Sequence, residues 1–290
     1  MSRYFFLVAS QIILFTTSIR AQESNDRRVV PVISTSKNTE FAPTISADGR
    51  MMVFESDVNK EKGWQLFESH LGNGGVWSTP ESMESINDKC SFLAGPSLSY
   101  DGNTLYFTAF IEHVTQSEDI YYSERLDGKW TEPKSIGAPI NTDVEYEGFP
   151  SISADGNSLY FIRVSTENFF DKGSKENCFV IFVSHRQQDG SWGKPEALPA
   201  FINRGCERDP KIMADNRTLI FSTIREGGKG KYDLYQTRKQ MDNTWSEPVP
   251  LDFINSPESD LSPCISASGD TMFFIPKGGG HGSVNHDEVT

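Results

Sequence analysis

One hairpin pattern recurs five times along this chain of 290 residues. Each copy has a short apolar run after a proline, then a pair such as Asp48-Gly49, then a second apolar run that ends in Phe. Such pairs supply the positive φ that a two-residue hairpin turn requires. A repeat of this length predicts an array of similar β units that pack on one another. The repeat prolines are Pro43, Pro96, Pro150, Pro210 and Pro263, at spacings of 53, 54, 60 and 53 residues.

Each unit continues with two further strand signals. A polar loop leads to a third apolar run, and a turn then leads to W-x-x-P, which opens an outer strand where proline is tolerated. Four antiparallel strands per repeat, without helical periodicity, predict an all-β propeller of about five four-stranded blades around a central channel. The W-x-x-P motifs begin at Trp77, Trp130, Trp192 and Trp245, and the Ile-Asn pairs that close these units end at Asn87, Asn141, Asn203 and Asn255.

The repeated pattern resembles the PD40 (WD40-like, TolB-type) propeller repeats of bacterial envelope proteins. The resemblance rests on E-x-x-P-x-x-S-x-D-G-x-x-L-Y-F, followed by D-[IL]-Y, G-x-W-x-x-P and I-N. It covers essentially the whole chain after the N-terminal segment. It implies the propeller fold and a periplasmic or outer-membrane setting. Because the family consists mostly of binding modules, the resemblance implies no particular enzymatic activity.

The two ends of the chain predict how the ring of blades closes. Units start near residues 41, 94, 148, 208 and 261, and the fifth has clear signals only for its first two strands. Its third strand is expected to be missing or very weak. Residues near 29–33 resemble the end of a unit, with Pro31 at the place of the W-x-x-P proline. We therefore expect an incomplete last blade that an N-terminal strand closes, which removes the open edge of the ring.

The first 21 residues have the pattern of a secretory signal peptide. Arg3 precedes an apolar stretch from Tyr4 to about Thr17, and a small residue, Ala21, follows at the expected cleavage point. A transmembrane anchor is the alternative, but the stretch falls short of the ~20 residues of a membrane span. Cleavage would leave residues 22–290 as a single exported propeller domain without a membrane span, periplasmic or associated with the outer membrane.

Charge and motifs limit the function classes. The formal net charge of −13 argues against nucleic acid as a partner. The chain has no G-x-S-x-G, H-E-x-x-H or P-loop pattern. The sequence therefore predicts a non-catalytic module that binds an envelope protein or a glycan. The alternative is a glycan-binding or carbohydrate-active propeller, similar to sialidases or other glycosidases, that uses carboxylates at the channel mouth.

Four acidic residues share one position of the repeat, three residues before the proline. Symmetry predicts that they surround the channel mouth. One interpretation is a site for Ca²⁺ or a cationic group, because clustered carboxylates suit both; no other cofactor is indicated. The other, favoured because the acid recurs from blade to blade, is that each carboxylate accepts backbone N–H bonds and ties blades together. Leu93 breaks the ring in the second unit, and the ring acids are Glu40, Glu147, Glu207 and Asp260.

Two loops are candidates for partner contacts. In the third unit, Phe169 and Phe170 lie in a polar segment and either meet a partner or fold over the channel mouth. In the fourth unit, Arg225, Lys229 and Lys231 either hold an anionic substrate or belong to a solvated loop.

The four cysteines allow three pairings in an oxidising compartment. Cys178 begins a third strand and Cys206 lies in the loop that leaves the same blade, so this pair is the preferred disulfide. Cys90 lies in a loop equivalent to that of Cys206. Cys264 lies on an inner strand and is expected to be a buried free thiol.

Overall fold

The computed structural model describes residues 28–29, 33, 39–143, 145–164, 178–277 and 288–289. The described residues form an all-β structure with one short helix, α1 (Glu84–Asn87). The proposed signal peptide, residues 1–21, lies outside the described residues, as do Phe169 and Phe170. In the described part of the chain, no helix has the length and hydropathy needed to cross a membrane.

The strands are short, as the close spacing of the turn signals predicts. The first ten in chain order are β1 (Arg28–Val29), β2 (Glu40–Ile45), β3 (Met51–Ser56), β4 (Gln65–His70), β5 (Glu81–Ser82), β6 (Phe92–Leu98), β7 (Thr104–Phe110), β8 (Asp119–Leu126), β9 (Lys129–Trp130) and β10 (Lys134–Ser135). The others are β11 (Glu147–Ile152), β12 (Ser158–Val164), β13 (Phe179–His185), β14 (Glu196–Ala197), β15 (Arg208–Ile212), β16 (Thr218–Thr223), β17 (Asp233–Arg238), β18 (Val249–Pro250), β19 (Ser259–Ile265), β20 (Met272–Lys277) and β21 (Glu288–Val289).

These strands form five antiparallel sheets. Four of the sheets follow the sequence order, from β2 to β5, from β6 to β10, from β11 to β14 and from β15 to β18, and form a propeller-like arrangement of four blades. The fifth sheet has the order β19, β20, β21, β1. The sequence predicted that the third strand of this sheet would be missing or very weak. In the structure the two-residue strand β21 takes that place, and its Val289 pairs with Phe273 of β20 on one side and with Arg28 of β1 on the other.

The first strands of the sheets lie side by side around a common axis. Each contacts the first strand of the next sheet, and β19 also contacts β2. Hydroxyl groups one residue after the repeat proline connect neighbouring first strands, because each accepts a backbone N–H bond from the next sheet. The bonds run from the Leu98 N–H to Thr44 Oγ1 (3.1 Å), from the Ile152 N–H to Ser97 Oγ (3.2 Å) and from the Ile212 N–H to Ser151 Oγ (3.0 Å).

Every first strand contains a bulge at its proline. The residue before the proline has a positive φ, and the pairing with the second strand shifts register there. Such a bulge turns the side chain of that residue out of the ladder, and all five of these residues line the channel. Only glycine fits in the second blade, since an added Cβ at Gly95 would lie 2.9 Å from the Phe149 Cα. The bulge residues are Ala42, Gly95, Phe149, Asp209 and Ser262.

The Ile-Asn pairs hold the third strand of each blade. Asn203 is representative: its Oδ1 accepts the Ile181 N–H (2.8 Å), and its Nδ2 donates to Ile181 O (3.0 Å) and Leu198 O (2.9 Å). The side chain thereby takes the place of a strand residue where the outer strand has ended. The same two-point contact joins Asn87 to Leu66, Asn141 to Ile120 and Asn255 to Leu234.

Replacement of Asn203 by Ala is expected to lower the free energy of unfolding by about 3 kcal/mol. The substitution leaves the Ile181 N–H and Leu198 O without these partners, whereas Ile181 O keeps its bond from the Leu198 N–H, and each buried group left unpaired costs about 1–3 kcal/mol. Urea unfolding, followed by tryptophan fluorescence, would measure the change. As a control, Asn157→Ala removes an exposed amide from a hairpin turn. Equal losses in the two variants would contradict a structural role for the Ile-Asn motif.

The other repeated motifs also belong to the scaffold. In the first hairpin, Asp48 Oδ1 accepts the Ser46 hydroxyl (2.6 Å) and the Arg50 N–H (3.0 Å), so the S-x-D-G pattern builds its own turn. The phenylalanines that end the second strands are fully buried at Phe107, Phe161 and Phe221. The outer strands each begin one residue after the W-x-x-P proline, at Glu81, Lys134, Glu196 and Val249.

Candidate functional site

The ring acids lie at the loop end of the first strands but point into the protein. All four are buried, with exposed fractions of 4% or less. None of them lines either of the two cavities found along the channel. Burial raises the pKa of Glu147 and Glu207, and nearby N–H donors and arginines oppose that shift.

Three of these carboxylates, those of Glu147, Glu207 and Asp260, have donors from the loop that precedes their own strand. Glu147 accepts the Thr142 N–H (3.0 Å) and hydroxyl (3.0 Å), and lies 2.8 Å from Arg163 Nε. Asp260 accepts the Ser256 N–H (2.7 Å) and hydroxyl. These contacts fix the loop against the blade, which is the chemistry expected of a scaffold carboxylate.

Glu207 is bound in the same way. It accepts the N–H groups of Arg204 (3.0 Å) and Gly205 (2.5 Å), and Arg225 Nη2 lies 3.1 Å from its Oε1. Arg225, a candidate for binding an anionic substrate, therefore pairs with a ring acid. Lys229 is exposed and donates to Asp252 O (2.6 Å).

Lys231 is exposed at the same loop. Cys178 and Cys206, the pairing preferred from the sequence, form a disulfide that ties the start of β13 to the loop before β15. Cys264 is a buried free thiol and Cys90 a half-buried one. No group of three or more His, Cys, Asp or Glu side chains that could hold a metal is present among the described residues.

The channel contains charged side chains at positions where the other repeats have uncharged ones. Asp209 is the only acid among the bulge residues, and Lys211 follows Pro210 where other units have Thr, Ser or Cys. Glu55 follows the last Phe of β3, where the other units have Thr, Ile or Ser. Glu55 and Asp209 are both buried, with exposed fractions of 3% and 2%.

Asp209 and Lys211 close the channel near its centre. Asp209 Oδ2 accepts the Ser262 N–H (3.1 Å), whereas its Oδ1 is buried without a partner in the described part of the chain. Lys211 Nζ donates across the channel to Pro96 O (3.1 Å). The cavity left at this level is about 10 Å³, which is room for about one water molecule.

Glu55 bridges the first and second blades beside this cavity. Its Oε1 accepts the Gly95 N–H at 2.5 Å, at the bulge of β6. Burial, with a smaller contribution from the nearby Asp209, raises the pKa of Glu55 to about 8, although the Gly95 N–H, Lys211 and Arg208 oppose this shift. The carboxyl group is therefore largely protonated at neutral pH.

A second cavity of about 80 Å³ lies below Lys211, towards the hairpin turns. Residues of all five sheets line it, including Thr44, Ser97, Ser151 and Cys264. Burial lowers the pKa of Lys211 and raises the pKa of Cys264. Lys211 and Asp209 lie between this cavity and the loop end of the channel.

Aromatic side chains surround Arg208 at the loop end of the channel. Its guanidinium lies 5.7 Å from the ring centre of Phe149, 5.7 Å from that of Phe179 and 5.8 Å from that of Tyr232. Tyr146 lies near the same place, with its ring centre 5.2 Å from that of Phe179 and the two rings tilted by 54°. We call Tyr146, Phe149, Phe179, Arg208 and Tyr232 the rim cluster.

The rim cluster was missed in the sequence because its members occupy different repeat positions. Arg208 stands one residue after a ring acid, where other units have Phe41, Ala94, Gly148 and Leu261. The sequence signal that was available is that this repeat position is charged in one unit only. The cluster offers a cation and aromatic surfaces to a ligand at the channel mouth.

No protein-family model matches the chain, and no curated protein matches it. Among solved structures it is similar to a protein assigned as TolB from Agrobacterium tumefaciens, with a TM-score of 0.53 and 19% identity over 83% of this chain and 70% of that one. It is also similar to a glycoside hydrolase (TM-score 0.59, 12% identity, 91% of this chain and 89% of that one). An alpha-L-arabinofuranosidase from Lactobacillus brevis has a TM-score of 0.54 and 17% identity, over 90% of this chain and 92% of that one. At such identities the likeness concerns the fold alone.

Proposed function

We propose that residues 22–290 form an exported, non-catalytic five-bladed propeller that binds another component of the cell envelope through its loop face. The loop face is the end of the channel that carries the ring acids, the loops between second and third strands, and the rim cluster. The opposite end carries the short hairpin turns. Irregular loops on a rigid scaffold are the common place for binding sites.

Several observations support five blades built from PD40-type repeats. The fifth sheet has four strands in the same order as a blade, and its first strand lies between β15 and β2. The bulge before the repeat proline is present in all five sheets. A closed ring would leave no sheet edge free to pair with another chain.

The observation that carries the non-catalytic proposal is the closed channel. A glycosidase of the common type needs two carboxyl groups about 5–10 Å apart, with space for the scissile bond between them. Here the ring acids are buried against loop N–H groups, and the cavity at Asp209 measures about 10 Å³. Because the carboxylate lone pairs already have protein donors, we also propose that the module needs no bound Ca²⁺.

A glycan-binding or carbohydrate-active propeller is the second candidate. The aromatic rings of the rim cluster favour it, because sugars stack on such surfaces. The similarity of fold to glycoside hydrolases adds no residue-level support, since it concerns the fold alone. Export to the envelope rests on the signal pattern of residues 1–21 and on the resemblance of the repeats.

The test compares two variants that each remove three exposed apolar side chains, from opposite ends of the channel. The loop-face variant replaces Val58, Val114 and Phe253 by Ser, and the turn-face variant replaces Val76, Leu126 and Met241 by Ser; all six side chains are exposed. Each protein is immobilised and incubated with envelope extract, with and without EDTA. Retained proteins are quantified by mass spectrometry.

We expect a defined set of envelope proteins to bind the unmodified chain and the turn-face variant equally, with or without EDTA. The loop-face variant should retain at least tenfold less, because apolar contacts at the centre of an interface are worth about 1–3 kcal/mol each. Greater loss from the turn-face variant would contradict the proposed face. Hydrolysis of aryl glycosides by the purified chain, or binding only to a glycan array, would establish the second candidate instead.

A further inference from the structure

The loop end of the channel has three arginines, and two of them are paired with ring acids. Arg163 lies 2.8 Å from Glu147 and 3.4 Å from Glu145. Arg225 lies 3.1 Å from Glu207. Arg208, in contrast, has no ion pair with a carboxylate within 4 Å among the described residues, and its Nε is buried without a hydrogen-bond partner there.

The surroundings of Arg208 hold its guanidinium in place and reduce its hydration. The ring centres of Phe149, Phe179 and Tyr232 lie within 5.8 Å of it, and Tyr232 also hydrogen-bonds to it. Tyr146 packs against Phe179. A guanidinium that is fixed against aromatic faces loses little conformational freedom when it binds a planar anion. In such a poorly hydrated place, a charge-assisted hydrogen bond is stronger than in open water.

We propose that Arg208 binds a single carboxylate group of the protein partner, with the rings of the rim cluster packed around the carbon chain that bears it. This inference rests on the proposed function and names the chemistry that the binding face recognises. The group is either an acidic side chain or a C-terminal carboxylate of a polypeptide. A guanidinium suits both, because its paired N–H donors match the two carboxylate oxygens.

A monoanion fits the charge of this place better than a phosphate does. Asp209 lies next to Arg208 and repels additional negative charge, and the next cation, Lys211, lies deeper in the channel. A carboxylate adds one negative charge beside Asp209, whereas a phosphate dianion adds about two and is repelled more strongly. The exposed Val58, Val114 and Phe253 on the same face give a polypeptide apolar contacts beside the anchor.

The experiment measures binding of three probes by isothermal titration and saturation-transfer NMR. The probes are N-acetyl-phenylalanine, its neutral amide, and inorganic phosphate. The proteins are the mature chain, Arg208→Met, Arg208→Lys, and Arg204→Met, which removes an exposed arginine four residues away. Circular dichroism and the melting temperature establish that each variant is folded; if Arg208→Met does not fold, Arg208→Lys, which retains the charge but loses the paired donors, carries the test.

We expect the carboxylate probe to bind the mature chain and Arg204→Met alike, and to bind Arg208→Met at least tenfold more weakly. The amide probe should bind the mature chain and Arg204→Met at least tenfold more weakly than the acid does, and Arg208→Met should bind acid and amide equally weakly. Equal binding of acid and amide, unchanged binding to Arg208→Met, or tighter binding of phosphate than of the carboxylate would each overturn the proposal. A lack of Arg208-dependent binding at millimolar probe would overturn it too.

A peptide pair separates the two sources of the carboxylate. A pentapeptide with an acidic side chain and an amidated C-terminus competes with one that has only a free C-terminal carboxylate.

Capture from envelope extract by Arg208→Met separates this inference from the proposed function. Capture that survives in Arg208→Met but is lost in the loop-face variant retains the function and removes the carboxylate anchor. Arg208-dependent probe binding without any captured protein would retain the carboxylate site and contradict the proposed function as a protein-binding module.

Discussion

Replacement of Glu207 by Ala is expected to lower the free energy of unfolding by about 3–5 kcal/mol, the usual cost of breaking one side of a buried ion pair. The substitution leaves Arg225 without its carboxylate and the buried Gly205 N–H without its acceptor, whereas the Arg204 N–H retains Ile202 O. Chemical denaturation of the variant against the unmodified chain measures the loss. Glu226→Ala, which removes an exposed acid from the adjoining loop, is the control and should change stability by less than about 0.5 kcal/mol.

A double-mutant cycle with Arg225→Ala assigns the effect to the pair. Because both side chains act through one contact, the double variant should lose clearly less than the sum of the two single losses, by about 1–3 kcal/mol. Additive losses would contradict a direct pair. If Glu207→Ala is as stable as the unmodified chain, the scaffold role is wrong and a ligand-binding role for the ring acids is favoured, since binding residues commonly do not contribute to stability.

The repeat made most of the scaffold predictable from the sequence. Asp48-Gly49 and its counterparts fix the hairpin turns through local backbone preferences. Because these preferences depend on a few neighbouring residues, they can be recognised in a single sequence. The outer strands were located through their prolines. The short strand β21 was not, because two residues carry no periodicity and form a strand only where β20 and β1 flank them.

The candidate site was less predictable, for two physical reasons. The recurrence of Glu147 and Glu207 favoured carboxylates that accept backbone N–H bonds, as the structure has them, but symmetry did not indicate that the donors come from the loop before the same strand. The charged channel residues depend on contacts across blades: Glu55 bonds to Gly95, 40 residues away, and Lys211 to Pro96 O, 115 residues away. The φ of +50° at Phe149, immediately before a proline, is also a product of tertiary packing, because local sterics disfavour it.

The second large effect is the pH dependence of stability that Glu55 confers. Burial raises its pKa to about 8 in the folded chain from the ordinary value of 4.5. The folded state therefore holds a proton that the unfolded state releases between these values, so the free energy of unfolding falls as the pH rises through this window. The slope that one such group contributes is up to about 1.4 kcal/mol per pH unit.

Glu55→Gln should remove that slope while keeping an acceptor for the Gly95 N–H. Urea unfolding at a series of values from about pH 5 to about pH 8 should therefore give curves that diverge, with the glutamine variant a few kcal/mol more stable at the upper end relative to the lower. Other buried acids, such as Asp119 and Glu147, are present in both proteins and cancel in the difference. Glu61→Gln, at an exposed position, should run parallel to the unmodified chain. Parallel curves for Glu55→Gln as well would mean that Glu55 ionises freely in the folded protein and that the channel beside it admits more water than its contacts indicate.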